Sequence, residues 1–173
     1  MSLASVIYPG KRIGMLGGGQ LGRMSILAGR RMGYRFHVLE NKDNSPAGMV
    51  ADHQIVGAYT DRDALDKLAD MADVVTLEFE NIPSDAVNHL AKQVPVHPSA
   101  NVLHICQNRL REKTFLRDSG IPCAPFHVVR SAEELGEAVR DLGAPCVIKT
   151  ADFGYDGKGQ QKLEGGEDLP KPK

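Results

Sequence analysis

The chain has 173 residues, of which 42% are hydrophobic and 25% charged, with a formal net charge of -1. That balance belongs to an ordinary globular protein, and the 21 basic residues are scattered without the stripe that nucleic-acid binding requires. The opening MSLASVIYPGKR lacks the apolar run of a signal peptide and no later stretch could span a membrane, so a cytoplasmic protein is expected.

Residues 12–16, RIGML, form an apolar run ending in glycines, as a buried parallel strand does. Leu21, Met24, Ile26, Leu27, Ala28 and Met32 then give a helix over 20–32 with one apolar face, closed by Gly33. Phe36, Val38 and Leu39 make a second strand, followed by the turn-rich loop ENKDNSPAG. Residues 55–58 read as a strand, and Asp61 caps a helix carrying Leu65, Leu68 and Met71. A strong β run at 73–77, a helix opened by Pro83 and a short strand at 94–96 complete the alternation. Strands separated by helices of this length predict an α/β protein with an open, doubly wound parallel sheet.

From about Ser99 the texture changes. Residues 99–120 read as helical, with a long helix over 102–117 and a stop at Gly120. A strand is expected at 126–129. Ser131 with Glu134 makes a capping box for a helix through Leu142, and Cys146–Lys149 is a further strand. The last residues carry no periodicity. The predicted domains are 1–108 and 109–173. The second, at roughly 60 residues, buries too little surface to stand alone, so a portion of a longer protein, or a chain that needs a partner, is expected.

Gly17-Gly18-Gly19-Gln20-Leu21-Gly22 fits GxGxxG between a strand and a helix, and Glu40 ends the second strand. An acid there suits an adenosine ribose, and the helix N-terminus suits a phosphate. A dinucleotide site, a nucleotide monophosphate site and a purely structural turn all fit this pattern. The second loop, Gly154-Tyr155-Asp156-Gly157-Lys158-Gly159-Gln160, follows Lys149 at the end of its strand. Lys149 can act as a point charge on nucleotide phosphates, and the glycines let the loop close over them. No GK[ST] occurs, so this is not a Walker A loop.

GGGQLGRM at 17–24, TLEFENIP at 76–83, HPSANVLHICQNRLREKTFL at 97–116 and VIKTADFGYDGKGQ at 147–160 stand in a telling order. Together they resemble the ATP-grasp carboxylases of purine biosynthesis, the 5-(carboxyamino)imidazole ribonucleotide synthases, over about Arg12 to Gln161. The resemblance implies a Rossmann-like preATP-grasp domain followed by the start of an ATP-grasp domain. It implies condensation of bicarbonate with 5-aminoimidazole ribonucleotide, using ATP and Mg2+ through carboxyphosphate. Arg109 and Lys149 match ATP-contacting positions, and Gly154 through Gln160 match the loop over its phosphates. Tyr155, Asp156 and Lys158 match positions beside the aminoimidazole, which with Lys149 makes four catalytic candidates. Gly19, Gln20 and Leu21 match a loop facing the ribonucleotide, whose phosphate the first glycine loop would hold, and Glu78 is a further substrate-contact candidate. Otherwise Glu78 and Glu80 are a solvated strand end.

Relatives in this family carry their magnesium carboxylates later in the sequence, so no metal ligand is expected here and the chain should not turn over alone. The complete enzyme is expected to be a homodimer. Ala151, Asp152 and Phe153 depart from the basic residue and glycine that many relatives carry before GYDG. The rival readings are an NAD-binding oxidoreductase domain, which leaves 97–160 unexplained, and a non-catalytic nucleotide-binding fragment.

Other chemistry finds little support. Cys106, Cys123 and Cys146 form no CxxC pair and read as small core residues in a reducing compartment. The six histidines show no HxH or HxxxH pairing, and no serine sits in GxSxG.

Overall fold

The run RIGML forms β1 (Arg12–Leu16), the strand on which the first half of the molecule is built. The computed structural model describes residues 6–152 and 159–164, in two units, Met1–His104 and Ile105–Lys173. In the first unit β1 pairs in parallel with β2 (Arg35–Glu40) on one side and β4 (Val74–Leu77) on the other. β3 (His53–Val56) lies outside β2, giving the order β3-β2-β1-β4. It starts two residues earlier than the sequence suggested. The expected strand at 94–96 contributes one parallel bridge, Val75 to Val96, beyond β4.

Alternation along the strands fills both faces, as a parallel sheet demands. Leu16, Leu39 and Val75 pack with Leu65 and Leu68 of α2 (Arg62–Met71) and Val87 and Leu90 of α3 (Ser84–Leu90). Met15, Phe36 and Val38 pack with Ile26 of α1 (Gln20–Arg31) on the opposite face. Full burial of each such side chain is worth about 1.5–3 kcal/mol. The amino ends of β1 and β4 are tied by Asp73, whose carboxylate accepts from the Arg12 backbone N–H at 2.8 Å and its Nε at 3.1 Å. These bonds hold the Asp73 carboxyl down at about 2.

The apolar face read for α1 needs correction. Of its expected members only Ile26 is buried, while Leu21, Met24 and Met32 are 60–64% exposed. The helix meets the sheet through Gly22, Ile26 and Gly29 instead. A Cβ on Gly29 would collide with the Phe36 ring, so the glycines let the helix axis come close and turn the long side chains outward. The ends follow the sequence. Gly33 has φ +89, and the Asp61 carboxylate accepts from the N–H groups of Asp63 and Ala64.

The expected helix 102–117 is two helices, α4 (Ala100–Cys106) and α5 (Arg109–Asp118). Asn108 breaks it: its backbone is extended and its side chain accepts from Arg111 N–H at 2.9 Å, capping α5. α5 ends before Gly120, at φ +69. Residues 121–130 contain no strand, against the reading at 126–129. α6 (Ala132–Leu142) begins at Ser131, which accepts from Glu134 N–H, while the Glu134 carboxylate reaches back to Arg130 N–H.

β5 (Cys146–Lys149) pairs antiparallel with β6 (Gln160–Leu163), so Gln160 belongs to a strand and not to the loop before it. Leu135, Val139 and Leu163 form this unit's small core. The cysteine reading holds for Cys146, which packs against this small core, and is corrected for Cys106, which is exposed; Cys123 is partly buried. Among the described residues no helix is long and apolar enough to cross a membrane.

Candidate functional site

Parallel strands end on one edge, and open sheets place ligands where the strand order reverses, here between β1 and β4. The register decides what stands there. Leu16 is level with Leu39 of β2 and Leu77 of β4, so the next residues, Gly17, Glu40 and Glu78, line up across three adjacent strands. Two carboxylates therefore flank the glycine turn that leads into α1.

Both carboxylates bond to that turn. Gly18 N–H donates to Glu40 Oε2 at 2.8 Å, Gly19 N–H to Glu78 Oε2 at 2.5 Å and Gly22 N–H to Glu78 Oε1 at 3.1 Å. Glu40 is held further by Tyr59 Oη at 2.8 Å and by the N–H groups of Asn41 and Lys42. Burial, and next the bond to Glu40, push the Tyr59 hydroxyl above its ordinary range, so it stays a donor. Its ring lies edge-on to Phe79, centroids 6.0 Å apart.

These contacts also explain the glycines. A Cβ on Gly18 would sit 2.6 Å from Glu40 Cγ, and one on Gly19 would strike the Glu78 carboxylate. Gly17, at φ +110, needs the left-handed region as well. Where the sequence suggested a phosphate on these N–H groups, the structure has them bonded to carboxylates of the same chain. Glu78 is no solvated strand end either. Of the substrate candidates, Gly19 precedes α1, while Gln20 and Leu21 are exposed on its first turn.

In the second unit, Lys149 is the last residue of β5 and is exposed. The hairpin closes beneath the glycine loop: Thr150 N–H donates to Gly159 O at 2.8 Å, and Gly159 takes φ +67. Arg109 opens α5, and its backbone N–H donates to Ala151 O at 2.8 Å. Asn108 Nδ2 donates to Asp152 Oδ1, also at 2.8 Å. One short segment thus carries both Arg109 and the tether on the outgoing limb of the loop. Asn108 was missed in the sequence, although its type and place before RLREK are an N-cap signal. Gly154, Tyr155, Asp156, Gly157 and Lys158 lie outside the described residues.

Among the described residues, neither Arg109 nor Lys149 forms an ion pair, and both cations are exposed. That arrangement suits a polyphosphate. No group of three or more His, Cys, Asp or Glu residues among the described residues could hold a metal ion.

The chain matches two family models, the ribonucleotide synthetase preATP-grasp domain over residues 10–107 and the ATP-grasp domain over residues 114–172. The N5-carboxyaminoimidazole ribonucleotide synthase of Bacillus subtilis (strain 168) is 44% identical over 155 residues, covering 90% of this chain and 41% of that protein. The crystal structure of an N5-carboxyaminoimidazole ribonucleotide synthetase as its ADP complex superposes with TM-score 0.87 at 44% identity, over 96% of this chain and 44% of that one. The enzyme from Aspergillus clavatus in complex with ADP and 5-aminoimidazole ribonucleotide gives TM-score 0.78 at 33% identity, over 92% and 42%. The chain spans about two fifths of the length of these relatives. Its parallel sheet, its motifs and these alignments agree: the chain belongs to the ribonucleotide synthetase preATP-grasp family, and its likeness is to the N-terminal portion of the N5-carboxyaminoimidazole ribonucleotide synthases.

Proposed function

We propose that the chain is the ribonucleotide-facing domain and the first ATP-facing elements of an enzyme that makes N5-carboxyaminoimidazole ribonucleotide from 5-aminoimidazole ribonucleotide, bicarbonate and ATP. The observation that carries this reading is the β5–β6 hairpin, whose glycine loop leaves beside Lys149 and is tethered to the start of Arg109's helix. A dinucleotide oxidoreductase has no use for that second loop, and its pyrophosphate would find the first loop's donors already taken.

In the proposed reaction a bicarbonate oxygen attacks the γ-phosphorus of ATP, and ADP leaves. The 5-amino group of the ribonucleotide then attacks the carboxyphosphate carbon, and phosphate leaves. Lys149 and Arg109 draw the polyphosphate to the base of the hairpin and offset its charge. Gly154 through Lys158 close over it and exclude water, with Tyr155, Asp156 and Lys158 beside the aminoimidazole. Gly19, Gln20, Leu21 and Glu78 face the ribonucleotide; with the loop's N–H groups occupied, they contact its uncharged part. Magnesium, when bound, neutralises charge on the phosphoryl group in transfer, and its ligands belong outside the described residues. We put the domain boundary at 108/109, beside the Asn108 cap of α5 and four residues past the division between the two compact units. The complete enzyme is read as cytoplasmic and homodimeric.

Parallel calorimetric titrations of this chain with 5-aminoimidazole ribonucleotide, MgATP and NAD test the reading. Heat with the ribonucleotide, heat with MgATP that falls tenfold or more in affinity in Lys149→Ala, and none with NAD are expected. Binding of NAD with no response to the ribonucleotide would overturn it.

A further inference from the structure

A GxGxxG turn at the start of a 12-residue helix is ordinarily a phosphate cradle, because its N–H groups and the helix dipole both point at the ligand. Here the cradle is complete and filled from within. We propose that Glu40 and Glu78 are specificity-determining residues which, as internal anions, make the first glycine loop reject phosphoanions, including the pyrophosphate of a dinucleotide.

Three observations carry this inference. First, the donors a phosphate needs, at Gly18, Gly19 and Gly22, each bond a carboxylate oxygen between 2.5 and 3.1 Å away. A phosphate oxygen reaching the same N–H groups would occupy the carboxylates' own volume and meet their charge. Second, the carboxylates are not free to withdraw. Glu78 grips two N–H groups at once, and Glu40 accepts from Gly18, Tyr59, Asn41 and Lys42. Third, the turn is shaped around them, since the space a Cβ would need on Gly18 or Gly19 is taken by Glu40 and Glu78. Glycines that elsewhere admit a pyrophosphate admit glutamates here.

Other bonds hold the turn in place. Gly17 N–H donates to Leu39 O at 3.1 Å, and Ala47 N–H to Gly18 O at 2.9 Å. Removing the acids therefore leaves the helix N-terminus formed and its donors exposed. The inference goes beyond the proposed reaction and stands apart from it, because its test reads phosphoanions at one turn and uses neither the ribonucleotide nor turnover.

The test is titration of the 15N-labelled chain with inorganic pyrophosphate and, separately, NAD. It is read at the amides of Gly18, Gly19 and Gly22, so that binding at the second glycine loop does not confuse it. The wild-type chain is expected to show no saturable shift at these three amides. The Glu40→Gln/Glu78→Ala double variant, with native amide dispersion, is expected to show saturable shifts and at least a tenfold gain in pyrophosphate affinity at that turn. Should that variant not fold, Glu78→Ala alone leaves Glu40 in place and is expected to show the saturable shifts at Gly19 and Gly22, the two amides it frees. Saturable pyrophosphate shifts at these amides in the wild type, or a folded variant that gains nothing, overturns the proposal.

Discussion

The molecule has two glycine-rich loops, and they are built on opposite plans. The first, between β1 and α1, is packed solid: two strand-end glutamates fill it and three backbone bonds fix them there. The second sits on an antiparallel hairpin, closed at its base by Thr150 and Gly159 and tethered by Asn108, with exposed cations beside it. Glycine serves close packing of side chains at Gly18 and Gly19 beside the left-handed Gly17 in the first, and a left-handed turn at Gly159 in the second. A loop full of glycines therefore says that something approaches the backbone closely, and leaves open whether that something is a ligand or the protein's own side chains.

The contrast can be broken by adding volume. Gly18→Val puts its side chain where Ser45 and Glu40 already lie, and Glu40 can yield only by giving up its bonds to Gly18, Asn41, Lys42 and Tyr59. A loss of about 3 kcal/mol or more is expected, at the upper end of overpacking costs, read as a fall in the urea midpoint. If Gly18→Val were neutral, the first loop would not be packed as described. Gly159→Ala should cost less, about 1–2 kcal/mol, since the strain is one residue at φ +67 and the clash is with the one exposed side chain of Thr150.

The tether sharpens the comparison further. Asn108→Ala removes a helix cap worth about 1 kcal/mol and releases Asp152 as well. Asn108→Asp keeps the cap but sets two carboxylates together, so it should keep stability and still weaken ATP binding. Calorimetric affinities of the two variants separate capping from tethering, and equal ATP affinity in wild type and Asn108→Asp would show that the tether does nothing for the loop.

The smallest effect expected is on pH dependence and lies in the first unit. His37, on β2, is buried, with Nδ1 unpartnered among the described residues. Burial holds its pKa below 6.5, opposed by Asp52 and assisted by His53, Arg12 and Arg35. Its contribution is complete above 6.5, the unfolded value, and is lost as pH falls below that toward the lowered folded value. His37→Asn should flatten the stability profile between about pH 7 and 5, seen in urea midpoints across that range. An unchanged slope would remove His37 as its source.

Much of this architecture was legible in the residues. RIGML, the Asp61 and Ser131 caps, and the glycine stops at 33 and 120 all report local chemistry, which acts over one turn or one strand and so survives in any context. The position of the first glycine turn between β1 and α1, and Lys149 at a strand end, were readable for the same reason.

What only the tertiary structure decided is which groups meet. Glu40 reaches Gly18 across 22 residues, and Glu78 reaches Gly19 across 59. Nothing in local periodicity says that strand register will carry both to one turn. The buried side of α1 was decided likewise, by the Phe36 ring seated over Gly29 and not by the count of apolar residues on the helix. Asn108 shows the two levels in conflict: helical propensity favours continuing from α4 into α5, while its side chain gains more by capping α5 and holding Asp152. Sequence fixes what each segment can do alone. Packing chooses among those options, because a backbone N–H bonds whichever acceptor the fold brings within 3 Å.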